Sequence, residues 1–468
     1  MKIYLIGICG AGMASLAAML KKKGHIVSGS DESTYPPMST FLKEQSIPVN
    51  QGFSASQIQQ FNPDLVLVGN AISRGNPEVE FVLNEKIEYA SMPGTLSQHF
   101  IKGKHSCVVS GTHGKTTTTS ILAWILECAK EQPGFFIGGI PSNFKKGYQI
   151  GTGRHFVIEG DEYDSAFFDK GAKFLHYRPD TLIINNIEYD HADIYSNLEE
   201  IMTAFRRLTN LVPGKGHIIA NGEDSNVLQI LKSSFSNVLT FGLTDASQWV
   251  AHDLKYNDDG LSFSIKNNTK SICKIQTSLL GEFNVRNILG AVVAAITLGV
   301  SPEIAANAIR SFTGVVKRMN KVAEINNIQI YMDFAHHATA IKETLKGVKL
   351  QYPGKRIWAI FEPRSASTKR RIFEEQFYNA FNYADQVIIS PLHRPDKVPA
   401  GERLSVERII DVLNQRDIRA RTIKEDEKLL RIVSEEAQPE DIIIFMSNGS
   451  YNHLPDRLKE ALIKKPVI

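Results

Sequence analysis

The amino-acid sequence predicts an α/β protein of three consecutive units, each organised around a parallel sheet, with a small antiparallel satellite sheet in the middle unit. Three observations carry this reading. Short β-rich apolar runs alternate with segments whose apolar residues recur at helical spacing, the order that builds β-α-β units. Polar clusters stand directly after those runs, where open α/β sheets present the carboxyl ends of their strands. Finally, 468 residues exceed what one ordinary core accommodates.

Composition narrows the class. Hydrophobic content of 43% and charged content of 22% describe a globular protein. A net charge of +3 is too mild to argue for nucleic-acid or membrane partners, so basic side chains are expected around an anionic substrate instead. Cys9, Cys107, Cys128 and Cys273 form no C-x-x-C pair and read as reduced thiols. The apolar opening "MKIYLIGICGAGMASLAAML" is broken by glycines and continues through Lys21 to His25 into a second strand, unlike a cleaved leader. No run is long and apolar enough to span a bilayer. The expectation is a cytoplasmic protein.

The first unit, residues 1–104, opens with the strand "KIYLIG", a turn carrying Gly7, Gly10 and Gly12, and a helix through Lys23. A second strand, His25 to Ser30, ends at Asp31. This is a Rossmann-like mononucleotide-binding opening, with an acidic residue where a ribose hydroxyl is often held. The spacing is G-x-x-G-x-G rather than G-x-G-x-x-G, and a nicotinamide dinucleotide is one legitimate occupant. "DLVLVGNAI" is a further strand ending in a polar loop at Asn70.

The second unit, residues 105–312, begins with the buried strand "SCVVS" and then Gly111-Thr112-His113-Gly114-Lys115-Thr116-Thr117. A helix-periodic stretch follows. Strand, glycine-lysine-threonine loop and helix form the context of a phosphate-binding loop, in which backbone N–H groups and the helix N-terminus meet phosphate oxygens. Lys115 would reach the β- and γ-phosphates and the Thr116 hydroxyl would face Mg²⁺. The usual motif would place glycine at Val109, so the loop is a shorter variant. Two acidic clusters follow strands: Glu159, Asp161, Glu162 and Asp164 after "HFVIEG", then Asn185, Asn186, Glu188, Asp190 and His191 after "TLIINN". An acidic cluster is ordinarily a solvated loop; two at strand ends beside a phosphate loop read as a metal site. From about Leu254 to Leu280 the pattern changes to strict alternation, hence the satellite sheet, and "GEFNVRNILGAVVAAITLG" begins a helix bearing Asn284 and Asn287.

The third unit, residues 313–468, repeats the α/β pattern with strands "IQIYMDFA", "RIWAIFEP", "DQVIIS" and "DIIIFMS". Helices are expected at Thr339 to Leu350, Thr368 to Tyr383 and Asp426 to Ala437. Asp333, His336 and His337, then Glu362 and Arg364, then His393 and Arg394, and Asn448 stand at its strand ends.

The motifs "GTHGKTTTT", "NNIEYDHADIY", "LLGEFNVRN", "VVKRM" and "DFAHHATAIKETL", in that order over nearly the whole chain, resemble the ATP-dependent Mur ligases. Further stretches, "GNAISRGNPEVE", "PGFFIGGIPSNF", "EYDSAFFDK", "FEPRS" and "MSNG", are similar to the branch that adds a peptide, rather than L-alanine, to UDP-N-acetylmuramate. L-alanine addition stays open as the alternative. The resemblance implies a UDP-binding Rossmann-like domain, a central P-loop ATPase-type domain and a C-terminal Rossmann-like, peptide-binding domain. It implies ATP as cosubstrate, two Mg²⁺ ions, UDP-N-acetylmuramate and the murein tripeptide as partners, and a monomer or weak dimer.

By the same resemblance, Gly111 to Thr117, Asn284, Asn287, Arg318 and Asp333 would bind ATP, with Lys115, Arg318 and His336 catalytic. Thr116, Glu159 and His191 would hold metal, although histidine is an unusual ligand for so hard a cation and chemistry alone ranks Asp190 above His191. Gly7, Gly10, Gly12, Asp31 and Asn70 would bind the UDP substrate, and His337 and Arg364 the peptide. Arg318 also reads as a solvated linker charge, His337 as a structural histidine and Arg364 as a surface ion pair. The chain departs from the family at Ala338, where proline is usual, and at Arg206 and Arg207, where several members carry a modified lysine. A dehydrogenase would leave Lys115 and the acidic clusters without a role; a nucleotide-gated binding protein would leave the third unit's His and Arg groups unexplained.

Overall fold

Valine, isoleucine and leucine runs flanked by glycine and polar residues make short buried strands, and three large sheets result, beside a two-stranded ladder of Asp164–Ala166 with Asp169–Ala172. The structure is a computed structural model describing residues 1–232, 234–257 and 260–464, so the last four residues of the expected third unit lie outside it.

The amino-terminal sheet has five parallel strands, in spatial order Val49–Gln51, Ile26–Asp31, Lys2–Ile6, Leu65–Val68 and Tyr89–Ser91. The chain starts in the middle, winds outward on one side and then on the other. The switch falls between Lys2–Ile6 and Leu65–Val68, and a doubly wound sheet opens its ligand crevice there. That places the Gly7 turn beside the Gly69–Asn70 loop.

The middle sheet is ten-stranded. Six of its strands, Asn237–Gly242, His217–Asn221, Thr181–Ile184, His105–Ser110, His155–Gly160 and Gly134–Phe136, run parallel to one another in that order. Helices Lys115–Cys128 and Glu282–Thr297 pack on it through Ile121, Leu122 and Ile125 and through Ile288, Leu289 and Val292. Each such side chain stabilises the fold by about 1.5–3 kcal/mol on burial. The expected antiparallel strands are present as Trp249–Asn257, Gly260–Asn267 and Lys270–Thr277. They are not free-standing. Phe241 and Gly242 pair with Trp249 and Val250, making them an extension of the parallel sheet.

The carboxyl-terminal sheet orders Asn320–Ile325, Ile328–Asp333, Ile442–Met446, Ile357–Phe361, Gln386–Ile389 and Arg419–Thr422, parallel except at the first pair. The helix expected from Thr368 is shorter, Glu374–Ala380 after a single 3₁₀ turn at Arg371–Phe373. The residues before it are spent on a loop: Thr368 N–H donates to Ser365 Oγ, and Lys369 O accepts from Leu404 N–H. Among the described residues no helix is long and apolar enough to cross a membrane.

Candidate active site

The phosphate loop is set by glycine. Gly111 and Gly114 adopt φ of +135° and +82°. A Cβ at Gly114 would stand 2.3 Å from Asn287 Oδ1, and one at Gly111 3.0 Å from the Asn186 backbone nitrogen. Neighbouring elements close on the loop at those points. Asn186 Oδ1 accepts from His113 N–H at 2.7 Å, and Asn186 O accepts from Thr112 N–H at 3.0 Å. Asn185 donates to Thr118 Oγ1 at 3.0 Å, and Thr118 donates to Asn287 Oδ1 at 3.2 Å. Asn284 accepts from Asn287 at 3.1 Å. Asn284 and Asn287 thus line the cavity and also buttress the loop from behind.

Charged groups crowd the same place. Lys115 Nζ lies 2.8 and 3.1 Å from the Glu162 carboxylate oxygens and 2.7 Å from Gly111 O. Burial pushes its ammonium down, but Glu162 and Asp161 outweigh that and hold it above the ordinary lysine range. Thr116 donates to Glu159 at 3.2 Å, and Gly138 N–H donates to the other Glu159 oxygen at 2.9 Å. Burial raises the Glu159 carboxyl. Asp161 is buried as well, yet Lys173 at 2.6 Å, helped by Lys115, keeps it at about 2. His191 stands 3.4 Å from Glu162, which overcomes burial and raises the imidazole.

The donor set fits a hard divalent cation. Thr116 and Glu159 offer oxygens already in contact, and the ligand atoms of Asp161, Glu162 and His191 lie within 4.8 Å of one another. His191 is the one nitrogen among oxygens, and Asp161 and Glu162, both from the first acidic cluster, offer the hard oxygen donors such a cation prefers.

The third unit reaches into this site. Arg318 Nη2 donates to Thr116 Oγ1 at 3.3 Å while its guanidinium rests on the Phe334 ring, 4.5 Å from the centroid. It is therefore no solvated linker charge. Asp333 accepts from Met319 N–H at 2.7 Å and from Ala335 N–H at 2.6 Å, so it fixes the loops bearing Arg318 and His336. His336 lines the cavity, its Nδ1 2.9 Å from Phe334 O, and burial lowers it to about 4.

His337 sits elsewhere. It is 4% exposed, off the cavity, packed between the His113 and Phe373 rings at the start of helix Ala338–Gln351. Arg364 is also off the main cavity. It lies over Gly449, with Glu362 at 3.5 Å. Two further contacts join the middle and third units: Glu188 accepts from Thr339 at 2.7 Å, and Asp190 accepts from Ser367 at 2.5 Å.

All this opens onto one cleft of about 2190 Å³. It begins at Gly7, Gly10, Gly12, Asp31 and Asn70, passes the phosphate loop, and ends at Arg318 and His336. Asp31 already accepts from Cys9 N–H at 2.9 Å, so its carboxylate shapes the turn. Sequence reading missed Glu162 as the partner of Lys115, Glu188 and Asp190 as contacts to the third unit, and Lys173. The acidic clusters flagged the first three without their roles. Nothing in the spacing marks Lys173.

Three family models match in chain order: the Mur ligase family catalytic domain at residues 2–103, the Mur ligase middle domain at 109–295, and the Mur ligase glutamate ligase domain at 317–449. The chain is 40% identical over 468 residues, 99% of each chain, to the UDP-N-acetylmuramate–L-alanyl-γ-D-glutamyl-meso-2,6-diaminoheptandioate ligase of Escherichia coli K12. It is 33% identical to the UDP-N-acetylmuramate–L-alanine ligase of Acetivibrio thermocellus, covering 96% of this chain and 93% of the other. A crystal structure of a murein peptide ligase from Psychrobacter arcticus 273-4 superposes over 100% of both chains with a TM-score of 0.73 and 35% identity.

Proposed function

The chain belongs to the Mur ligase family, and from that premise we propose that it joins the tripeptide L-alanyl-γ-D-glutamyl-meso-diaminopimelate to UDP-N-acetylmuramate at the expense of ATP, in peptidoglycan recycling. The carrying observation is the Arg318–Thr116 contact, which joins the nucleotide end and the amine end of one continuous cleft. The full-length likeness to a tripeptide-adding relative favours the peptide over L-alanine, as does small Ser365-Ala366 on the cleft wall.

A carboxylate is a poor acyl donor until one oxygen becomes a leaving group. Transfer of the γ-phosphoryl group of ATP to the lactyl carboxylate gives an acyl phosphate and ADP; attack by the peptide amine then forms the amide and releases phosphate and a proton. Residues 1–104 would hold the UDP moiety, with Gly7, Gly10 and Gly12 offering backbone N–H groups and Asp31 and Asn70 polar contacts to ribose or uracil. Residues 105–312 would hold ATP. Lys115, once nucleotide draws it from Glu162, would place its charge against the transferring phosphoryl oxygens, and Arg318, which reaches Thr116 from the third unit, would add a second cation. Thr116 would hold one Mg²⁺; Glu159 and His191, with Asp161 and Glu162 near, would hold a second. Bound there, the metal neutralises phosphate charge and polarises the phosphoryl and acyl oxygens.

Residues 313–468 would bring the amine. His336 is neutral at physiological pH because burial lowers it to about 4. With its Nδ1–H donating to Phe334 O, Nε2 keeps a lone pair that can orient the attacking amine.

The test is a product assay by mass, with UDP-N-acetylmuramate, ATP and Mg²⁺ and either tripeptide or L-alanine as amine. The reading requires amine-dependent phosphate release and a higher kcat/KM for tripeptide. A higher kcat/KM for L-alanine would replace it with the L-alanine ligase.

A further inference from the structure

Two strands that carry the active cleft at their carboxyl ends hold a different group of side chains at their amino ends. His105 opens strand His105–Ser110, and His155 opens the parallel strand His155–Gly160 in register beside it. Side chains alternate along a strand, so Cys107 shares the face of both histidines. One ligand atom from each of His105, Cys107 and His155 lies within 4.8 Å of the other two. None of the three lines the cleft. Glu159 and Gly111 follow at the far ends of the same strands, roughly 13 and 20 Å away at about 3.3 Å per residue.

A buried ring nitrogen ordinarily has a partner. His155 is 1% exposed, and its Nε2 meets Arg154 Nε at 2.9 Å and the Glu131 carboxylate at 3.5 Å. Its Nδ1 is shut off from solvent with no hydrogen-bond partner. Cys107 is buried just as deeply. His105 is half-buried, and its Nε2 pairs with the Thr181 hydroxyl at 2.9 Å. Two nitrogen donors and a sulfur thus converge where one donor is orphaned.

Their protonation suits a metal. Burial, then Arg154, lowers the His155 imidazole to about 4, and burial lowers His105 although Asp180 opposes it. Neutral imidazoles keep a lone pair for a cation. Burial and Asp180 push the Cys107 thiol up, so its proton leaves only as a cation arrives.

The donor set says which cation. Thiolate with imidazole suits a borderline ion, whereas the hard Mg²⁺ of the cleft prefers oxygen. Zn²⁺ takes such mixed sets in tetrahedral geometry. Two helices also end at this edge. Arg154 Nη2 donates to Leu298 O at the cap of helix Glu282–Thr297, and Glu131 follows helix Lys115–Cys128. Helix carboxyl ends favour positive charge. With Nδ1 turned to the metal, Nε2–H of His105 would donate to Thr181 and that of His155 to Glu131, the outer contacts that fix a ligand ring. Arg154 is exposed and 4.0 Å from Glu131, so it can leave Nε2 for the carboxylate.

We propose that His105, Cys107 and His155 form a Zn²⁺ site at the amino edge of the middle sheet. Binding forms one Zn–S and two Zn–N bonds and releases the Cys107 proton to solvent; water entering past half-exposed His105 completes the tetrahedral set. The ion clamps together the two strands that lead to the phosphate loop and to Glu159. It stabilises the scaffold and takes no part in the chemistry.

The experiment uses the full-length protein, reduced and freed of metal with a chelator, in excess Mg²⁺ to fill the cleft. Co²⁺ is titrated in as a coloured substitute, followed by Zn²⁺, with wild type, Cys107→Ser and His105→Ala compared. Wild type should bind one Co²⁺ per chain with intense tetrahedral absorption and a thiolate-to-cobalt charge-transfer band. Zn²⁺ should bleach both and raise the melting temperature. The charge-transfer band should vanish in Cys107→Ser, and His105→Ala should weaken Co²⁺ binding by at least about tenfold. His105→Ala, at a half-exposed position, decides the matter should Cys107→Ser not fold. Absence of the thiolate band in wild type, its survival in Cys107→Ser, or an unchanged affinity in His105→Ala overturns the site.

Discussion

Two glycine turns join a parallel strand to a helix in this protein, and they are built to opposite specifications. At Gly7 to Gly10, ahead of helix Ala11–Lys22, no side-chain cation among the described residues hydrogen-bonds to the turn; its ionic partner is Asp31, which accepts from Cys9 N–H. At Gly111 to Gly114, ahead of helix Lys115–Cys128, Lys115, Arg318, Glu159, Glu162 and His191 are packed within contact of the loop or of one another. A turn that only holds a diphosphate needs donors and room. A turn at which a phosphoryl group changes hands needs charge that can be redistributed as the reaction proceeds, fixed in place beforehand. The buried Lys115–Glu162 pair shows how that charge is kept at rest.

The strongest test of this contrast is Lys115→Ala. Under the proposed function the lost charge would serve the transferring phosphate, so this variant should lower ligase kcat by about a thousandfold or more while the protein stays folded. Phosphate-release assays and a melting curve measure both; near-normal turnover would erase the distinction between the turns.

A smaller effect separates the glycines themselves. Gly114 has φ of +82° and no space for a Cβ, whereas Gly10 has φ of −62° and its nearest neighbour to an added Cβ, Gly7 O, at 3.5 Å. Gly114→Ala should cost about 1–2 kcal/mol from the backbone alone, and more from the clash with Asn287. Gly10→Ala should shift stability by no more than about 0.5 kcal/mol. Thermal unfolding of the two variants side by side checks this; equal losses would mean the turns are equally constrained.

Smallest of all is Asp31→Asn. The amide oxygen can still accept from Cys9 N–H, so the turn survives and only the charge is lost. The KM for UDP-N-acetylmuramate should rise by a few-fold and that for ATP should not move. A large rise in both would show that the first turn also depends on fixed charge.

Much of this was legible in the residues. Apolar runs, glycine turns and polar strand ends are local features, and local chemistry dictates them: three α/β units, the glycine-lysine-threonine loop and the polar strand ends that line the cleft followed from period and punctuation. The order of motifs carried the family. Pairings between distant segments were not legible. Lys115 meets Glu162 across 47 positions and Arg318 meets Thr116 across 202, and no spacing rule reaches so far. Nor did sequence show that the satellite strands continue the central sheet, since edge pairing depends on which backbone N–H and C=O groups the fold leaves open. His337 and His155 make the point most plainly. A histidine in a conspicuous Asp-His-His cluster turned out to be packed behind the site, and an inconspicuous one at the head of a strand turned out to be buried beside a cysteine and a second histidine. Burial is a property of everything that surrounds a residue. It is decided only when the sheets, loops and domains have come together.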